Sequence, residues 1–186
     1  MDTIKEARKL VLADMEKYGT PRKIWFDLSF ENGIRLMKQF IIDEKIVTLG
    51  TILMDFKLGL ARSEGRLNEH VKMSSDATKE FLATTDLSEE EKNKIINCVE
   101  AHHGEIPFTC KEAEICANAD SYKFLTIDGF TELLFFLGKL DMTSSERLDF
   151  VEKKIDEKFK MLSLDICKQE LTENYHRLKK FIQDSR

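Results

Sequence analysis

Residues 95–124 read IINCVEAHHGEIPFTCKEAEICANADSYKF, and the interpretation of the whole chain turns on this stretch. Ile95, Ile96 and Val99 recur at helical spacing and lead into His102-His103-Gly104, where a glycine is suited to end the helix. Ser88 and Glu91 form an S-x-x-E capping box at the start of that helix. A short loop containing Pro107 follows, and Thr109 with Glu112 repeats the capping-box pattern, predicting a second helix that ends near Asp120. Two helix ends joined by so short a loop can bring a His-His pair and a carboxylate to one pocket.

Two upstream segments add residues of the same chemical kind. Asp55 sits in TILMDFKLG, inside a helix predicted over 44–62 that is apolar over much of its circumference through Ile46, Val47, Leu49, Ile52, Leu53, Met54, Phe56, Leu58 and Leu60. A carboxylate there is costly to bury alone, so Asp55 is either held by a cation or hydrogen-bonded network, or lies on a wet edge. His70 sits in RLNEHVKMS, within a helix predicted over 66–84; a histidine in that setting, taken singly, is more often a surface or capping residue. Together, four segments each supply residues of the types that bind divalent metals.

The remaining segments also read as helices. Residues 3–18 carry Ile4, Ala7, Val11 and Met15 on one stripe before Gly19-Thr20-Pro21, and residues 27–42 carry Phe30, Ile34, Met37 and Ile41, with Asp27 or Ser29 placed to cap the start. Residues 126–140 continue the apolar core. Thr143 with Glu146 caps a further helix, after which the apolar residues thin to a stripe from Leu148 to Ile182, with His176 facing solvent. This change in character predicts a helical domain over 1–142 and a C-terminal helical extension over 143–186, packed on the core or on a second subunit. Homodimerisation through the extension is one expectation.

With 2 prolines, 8 glycines and few strand signals in 186 residues, the composition predicts an all-α fold. The net charge of -5 is spread along the chain with no basic block, which argues against a dedicated nucleic-acid surface. No apolar run approaches the roughly 18 residues that span a bilayer. Cys98, Cys110, Cys116 and Cys167 lack zinc-type pairing and follow no secretory signal, so they read as reduced thiols of a soluble cytoplasmic protein. Packing explains them better than a Cys-His nucleophile does. Gly-rich phosphate loops are absent from the sequence.

The order Asp55, His70, His102-His103, Asp120 on successive helical segments resembles the HD-domain superfamily of metal-dependent phosphohydrolases. The resemblance covers roughly residues 20–140 and rests on LGTILMDFKLG, EHVKMSSDATKEFL, IINCVEAHHG and ICANADSYKF. It implies an all-helical, HD-domain-like bundle in which Asp55 is the doublet aspartate, Asp120 the late aspartate, and His70, His102 and His103 the intermediate histidines. Family members hold their primary metal with a first histidine, the His-Asp doublet and the late aspartate. Here Met54 stands in place of the doublet histidine, and no histidine precedes His70; Trp25, Phe26 or Asp27 occupies the neighbourhood of the first one.

Under one reading, Asp55, His70, His102, His103 and Asp120, with Asp27 as a further oxygen ligand, hold Zn, Mn, Fe or Co. Asp55 and Lys57 then serve catalysis, and Arg62 and Lys123 meet the phosphate of a nucleotide or other phosphorylated small molecule. Under a second, the site is degenerate and metal-free, and the pocket binds a phosphorylated ligand or a protein partner without hydrolysis. Under a third, the C-terminal stripe carries the function as an interaction surface.

Overall fold

The structure, a computed structural model, describes residues 2–186 and is an all-α bundle, with no strand among those residues. In chain order the helices are α1 (Thr3–Tyr18), α2 (Lys23–Met37), α3 (Glu44–Leu53), α4 (Leu58–Ser63), α5 (His70–Ala83), α6 (Glu89–Ala101), α7 (Lys111–Leu125), α8 (Ile127–Leu137), α9 (Ser144–Lys160) and α10 (Asp165–Asp184). Among the described residues, no helix is long and apolar enough to cross a membrane.

Two helices form the centre. In α3 every residue from Ile46 to Leu53 is buried, and α7 is buried at nearly every position. Burial of α7 owes less to an apolar stripe than to small residues, Ala113, Cys116, Ala117, Ala119 and Ser121, which let neighbours approach on all sides. It packs against α2, α3, α6, α8, α9 and α10. Its polar residues are therefore inside the protein and must find partners there.

Several boundaries differ from the sequence reading, each for a local reason. The helix expected over 44–62 breaks after Leu53 into a turn over 54–57, because the Lys57 amide donates to Ser74 Oγ (3.0 Å) while Phe56 and Leu58 make shorter-range turn bonds to Leu53 and Asp55. Asp55 thus projects from a turn, not from a helix interior. The helix expected over 66–84 begins as a 3-10 turn, Leu67–Glu69, so that His70 opens α5.

The expected Thr109–Glu112 capping box does not form. Asn97 Oδ1 accepts the Thr109 amide (2.8 Å), Glu112 Oε1 accepts the Asp43 amide (3.2 Å), and α7 starts after Cys110 with no side-chain cap. The Ser88–Glu91 and Thr143–Glu146 boxes are both present. Helix α2 starts at Lys23, ahead of the expected 27, so Asp27 and Ser29 lie inside it; Ser29 Oγ donates to the Trp25 and Phe26 carbonyls, and Asp27 pairs with Lys23. Because α2 ends at Met37, Ile41 falls in the following turns and is fully exposed.

The last two helices are tied to α7 by polar contacts as well as by their stripes. Asn118 Oδ1 accepts the Ser163 and Leu164 amides (3.1 Å each) and its Nδ2 donates to Ser163 Oγ (2.8 Å), which fixes the α9–α10 turn. Ser121 Oγ donates to the Lys158 carbonyl (3.3 Å). Arg35 of α2 forks onto Glu170 of α10 (2.7 and 2.8 Å), and Tyr122 of α7 donates to the same carboxylate. These bonds hold α9 in register with the polar side of α7.

Close packing at the centre depends on Gly50, where a Cβ would lie 2.6 Å from Cys98 Cβ and 2.8 Å from Cys116 Sγ. Overpacking of about 1–3 kcal/mol outweighs the gain of about 1 kcal/mol that alanine brings to a helix. Gly50→Ala is therefore expected to destabilise the fold in a denaturant titration. An unchanged or raised midpoint would show that α3, α6 and α7 do not meet this closely.

Candidate functional site

Five segments converge where α7 passes the end of α6. The 54–57 turn supplies Asp55, α5 supplies His70 from its first position, and the chain leaving α6 supplies His102 and His103. Asp120 and Lys123 lie three residues apart on one face of α7, and α9 adds Lys154, Glu157 and Lys158. Asp120 is 3%, Lys123 4% and Lys158 0% exposed at the side chain, whereas His70 (14%), His103 (21%) and Asp55 (13%) reach the surface in part. The site has an inner and an outer half.

The inner half is a chain of alternating charges. Lys123 Nζ donates to Asp55 Oδ2 and to Asp120 Oδ1 (2.6 Å), and Lys158 Nζ lies 2.7 Å from Asp120 Oδ2. Burial works to raise the pKa of Asp120, but Lys123 and then Lys158 outweigh it and hold the carboxylate far below its usual range. Asp55 is likewise held well below: burial opposes its charge, and Lys123, His102 and His70 together overcome that. Burial also acts against the Lys123 ammonium, yet Asp120 and Asp55 raise its pKa above the ordinary lysine value.

The outer half is a cluster of three imidazoles whose ligating nitrogens lie within 4.8 Å of one another. Each ring is oriented by a partner at Nδ1. The Leu67 carbonyl is 2.8 Å from that of His70, the Val99 carbonyl 2.6 Å from that of His102, and Glu157 Oε1 3.5 Å from that of His103. Carbonyls and carboxylates accept only, so each Nδ1 carries the proton and each Nε2 of a neutral ring presents a lone pair.

Those lone pairs face one another. His70 Nε2 and His103 Nε2 are 3.2 Å apart, and His102 Nε2 is fully buried with no hydrogen-bond partner, 3.6 Å from Asp55 Oδ1. Asp55 Oδ1 is also 3.9 Å from His70 Nε2. Acceptor facing acceptor in a buried place costs free energy unless a proton or a cation lies between them.

Protonation is opposed at two of the three rings. Burial lowers the pKa of His70, and burial, followed by the neighbouring His102, lowers that of His103 to about 3. The donor set fits a divalent cation: three imidazoles, each with its Nδ1 held from behind, beside one carboxylate oxygen.

The other candidates stand elsewhere. Lys57 Nζ pairs with Asp14 (3.0 Å) and covers the Phe56 ring, while the Arg62 guanidinium lies over Phe136 (4.2 Å) and has its pKa lowered by burial. Lys123 lies at the centre, but its ammonium is committed to the two carboxylates. Lys158 and Glu157 escaped the sequence reading. A signal for Lys158 was present, since Val151, Ile155, Lys158 and Leu162 are spaced as one buried stripe with a lysine at its third position.

Comparison with known proteins gives one limited likeness. Over 86 residues, 46% of the chain, the sequence is 31% identical to ribonuclease Y of Finegoldia magna. The chain spans about 15% of that protein's length. No protein-family model and no solved structure matches it.

The lowered pKa of Asp120 sets a pH dependence. Ionised Asp120 stabilises the fold fully above the unfolded carboxylate value of about 3.9, and that contribution is lost as pH falls through the lower folded value. Asp120→Asn leaves Lys158 without its carboxylate and is expected to cost roughly 3–5 kcal/mol near pH 7. Denaturant titrations from pH 7 to pH 3 should show the gap between variant and parent narrowing below about pH 4. A gap that stays constant would mean that Asp120 is not held ionised.

Proposed function

We propose that the chain is an HD-type phosphohydrolase domain that holds one divalent metal on His70, His102 and His103 and acts on a phosphate ester of a nucleotide or other small molecule. The observation that carries this reading is the convergence of three imidazoles, each offering one ring nitrogen within 4.8 Å of the others, with His102 Nε2 buried without a partner beside the Asp55 carboxylate. The likeness to ribonuclease Y, by its name an enzyme that cleaves RNA, supports phosphoester chemistry in general and no particular substrate.

The chain's own residues would divide the work as follows. His70, His102 and His103 bind, and Leu67, Val99 and Glu157 keep the three rings turned inward through Nδ1. A divalent cation held there supplies Lewis acidity, polarising a phosphoryl oxygen and making water acidic enough to attack phosphorus. Asp55 has Oδ2 anchored by Lys123 and Oδ1 free to orient a water or accept its proton. Lys154, paired with Glu157 (3.0 Å) and near enough to His70 to act against its protonation, would be the cation that meets a phosphate.

A second reading is a degenerate domain that binds a phosphorylated ligand without hydrolysis, and one observation favours it. The Lys123 ammonium fills the space between the two carboxylates that the HD resemblance assigns to metal. Metal uptake and turnover separate the two readings.

Protein purified without chelator is expected to carry close to one equivalent of Zn, Mn, Fe or Co by plasma mass spectrometry, and His70→Ala with His103→Ala should abolish it. Hydrolysis of bis(4-nitrophenyl) phosphate or of nucleotides should fall with the metal. No uptake at all would overturn the first reading and support the metal-free second one, and bound metal without turnover would remove hydrolysis from the first. Glu157→Gln, which weakens the acceptor behind His103, is expected to lower metal affinity by about 10–100-fold. Unchanged affinity in a competition titration with a chelator would place the metal away from His103.

A further inference from the structure

We infer that the Lys123 and Lys158 ammonium groups are the resident cations of the Asp55–Asp120 pair, so that this half of the site takes no divalent metal and α9, which supplies Lys158, is part of the site. The HD resemblance makes Asp120 a metal ligand, and the residues around it do not fit that role. Both of its oxygens are committed, Oδ1 to Lys123 (2.6 Å) and Oδ2 to Lys158 (2.7 Å), and its side chain is 3% exposed. Asp55 Oδ2 faces the same Lys123 ammonium.

Charge gives the same answer. Two carboxylates and two ammonium groups are neutral together, and a dication inserted among them would bring two surplus charges into a buried space against two fixed cations. The positions that could complete a ligand set there are otherwise engaged. Met54 is buried and offers a thioether, Trp25 Nε1 donates to the Gly129 carbonyl (3.1 Å), Phe26 stacks on Phe30, and Asp27 pairs with Lys23.

The substitution also explains the placement of α9. Lys158 sits on the buried stripe between Ile155 and Leu162, where an apolar residue would otherwise fill the interface with α7, and its carbonyl accepts from Ser121 beside Asp120. A lysine fully buried on that face is retained only with a partner, and Asp120 is that partner. A C-terminal helix thereby delivers one of two internal cations to the centre of the fold.

The statement that the inner half takes no metal stands whether or not the histidines bind one; that metal, if present, sits only at the histidines rests on the proposed function. Two measurements separate them. Titrations with Mn and Zn by native mass spectrometry would compare the parent chain with Asp120→Asn, which is expected to change metal stoichiometry not at all and affinity by less than about tenfold. Denaturant titrations in EDTA would compare Asp120→Asn, Lys158→Met and the double variant. Each single variant should lower the midpoint, and the double variant should lose less than the sum.

Loss of metal in Asp120→Asn, or fully additive losses in EDTA, would overturn the inference. A parent chain that takes up no metal, with the coupling intact, would end the proposed function and leave this inference standing.

Discussion

The run of ion pairs from Asp55 through Lys123 and Asp120 to Lys158 is the constraint on which the rest of the structure depends. A lone carboxylate or ammonium at the centre of an all-helical core would be expelled or neutralised. Alternating the four charges leaves none of them single. Because the members come from the 54–57 turn, α7 and α9, the network can be satisfied only when the first half of the chain and its C-terminal helices are in place together. Such pairs specify an arrangement more than they stabilise it, since an apolar replacement of equal volume often does as well.

Asp55 joins that network to the histidines. Its two oxygens face different chemistry: Oδ2 takes the Lys123 ammonium, and Oδ1 faces the imidazoles of His70 and His102. The carboxylate is kept ionised from the inner side, so the outer side always presents a negative oxygen. Burial works against protonation of His70 and His103, and backbone carbonyls and Glu157 turn the three rings. An ionised oxygen beside three oriented imidazoles is an arrangement suited to a cation.

Much of this was legible in the sequence, and the gaps have physical causes. Helical periodicity and two capping boxes located most helices, and the recurrence of His and Asp on successive segments pointed to Asp55, His70, His102, His103 and Asp120 as neighbours, which the fold brings to one place. The break after Leu53 was hidden because it depends on Ser74, seventeen residues away, taking the Lys57 amide. The Thr109–Glu112 pattern failed because tertiary partners, Asn97 and Asp43, claimed the groups that would have formed the box. Lys158 was not singled out, although it falls on the buried stripe, because a charged residue gives no sign by itself that its partner is 38 residues upstream. Lys123 was read as facing a substrate phosphate, and its nearness in sequence to Asp120 gave no hint that Asp55 would hold it from the other side.

The most direct test is anomalous diffraction from crystals grown with zinc, recorded at the zinc absorption edge. The expected result is one peak about 2 Å from Nε2 of His70, His102 and His103, with the Lys123 ammonium still between Asp55 and Asp120. A peak between the two carboxylates, with Lys123 displaced, would contradict the account.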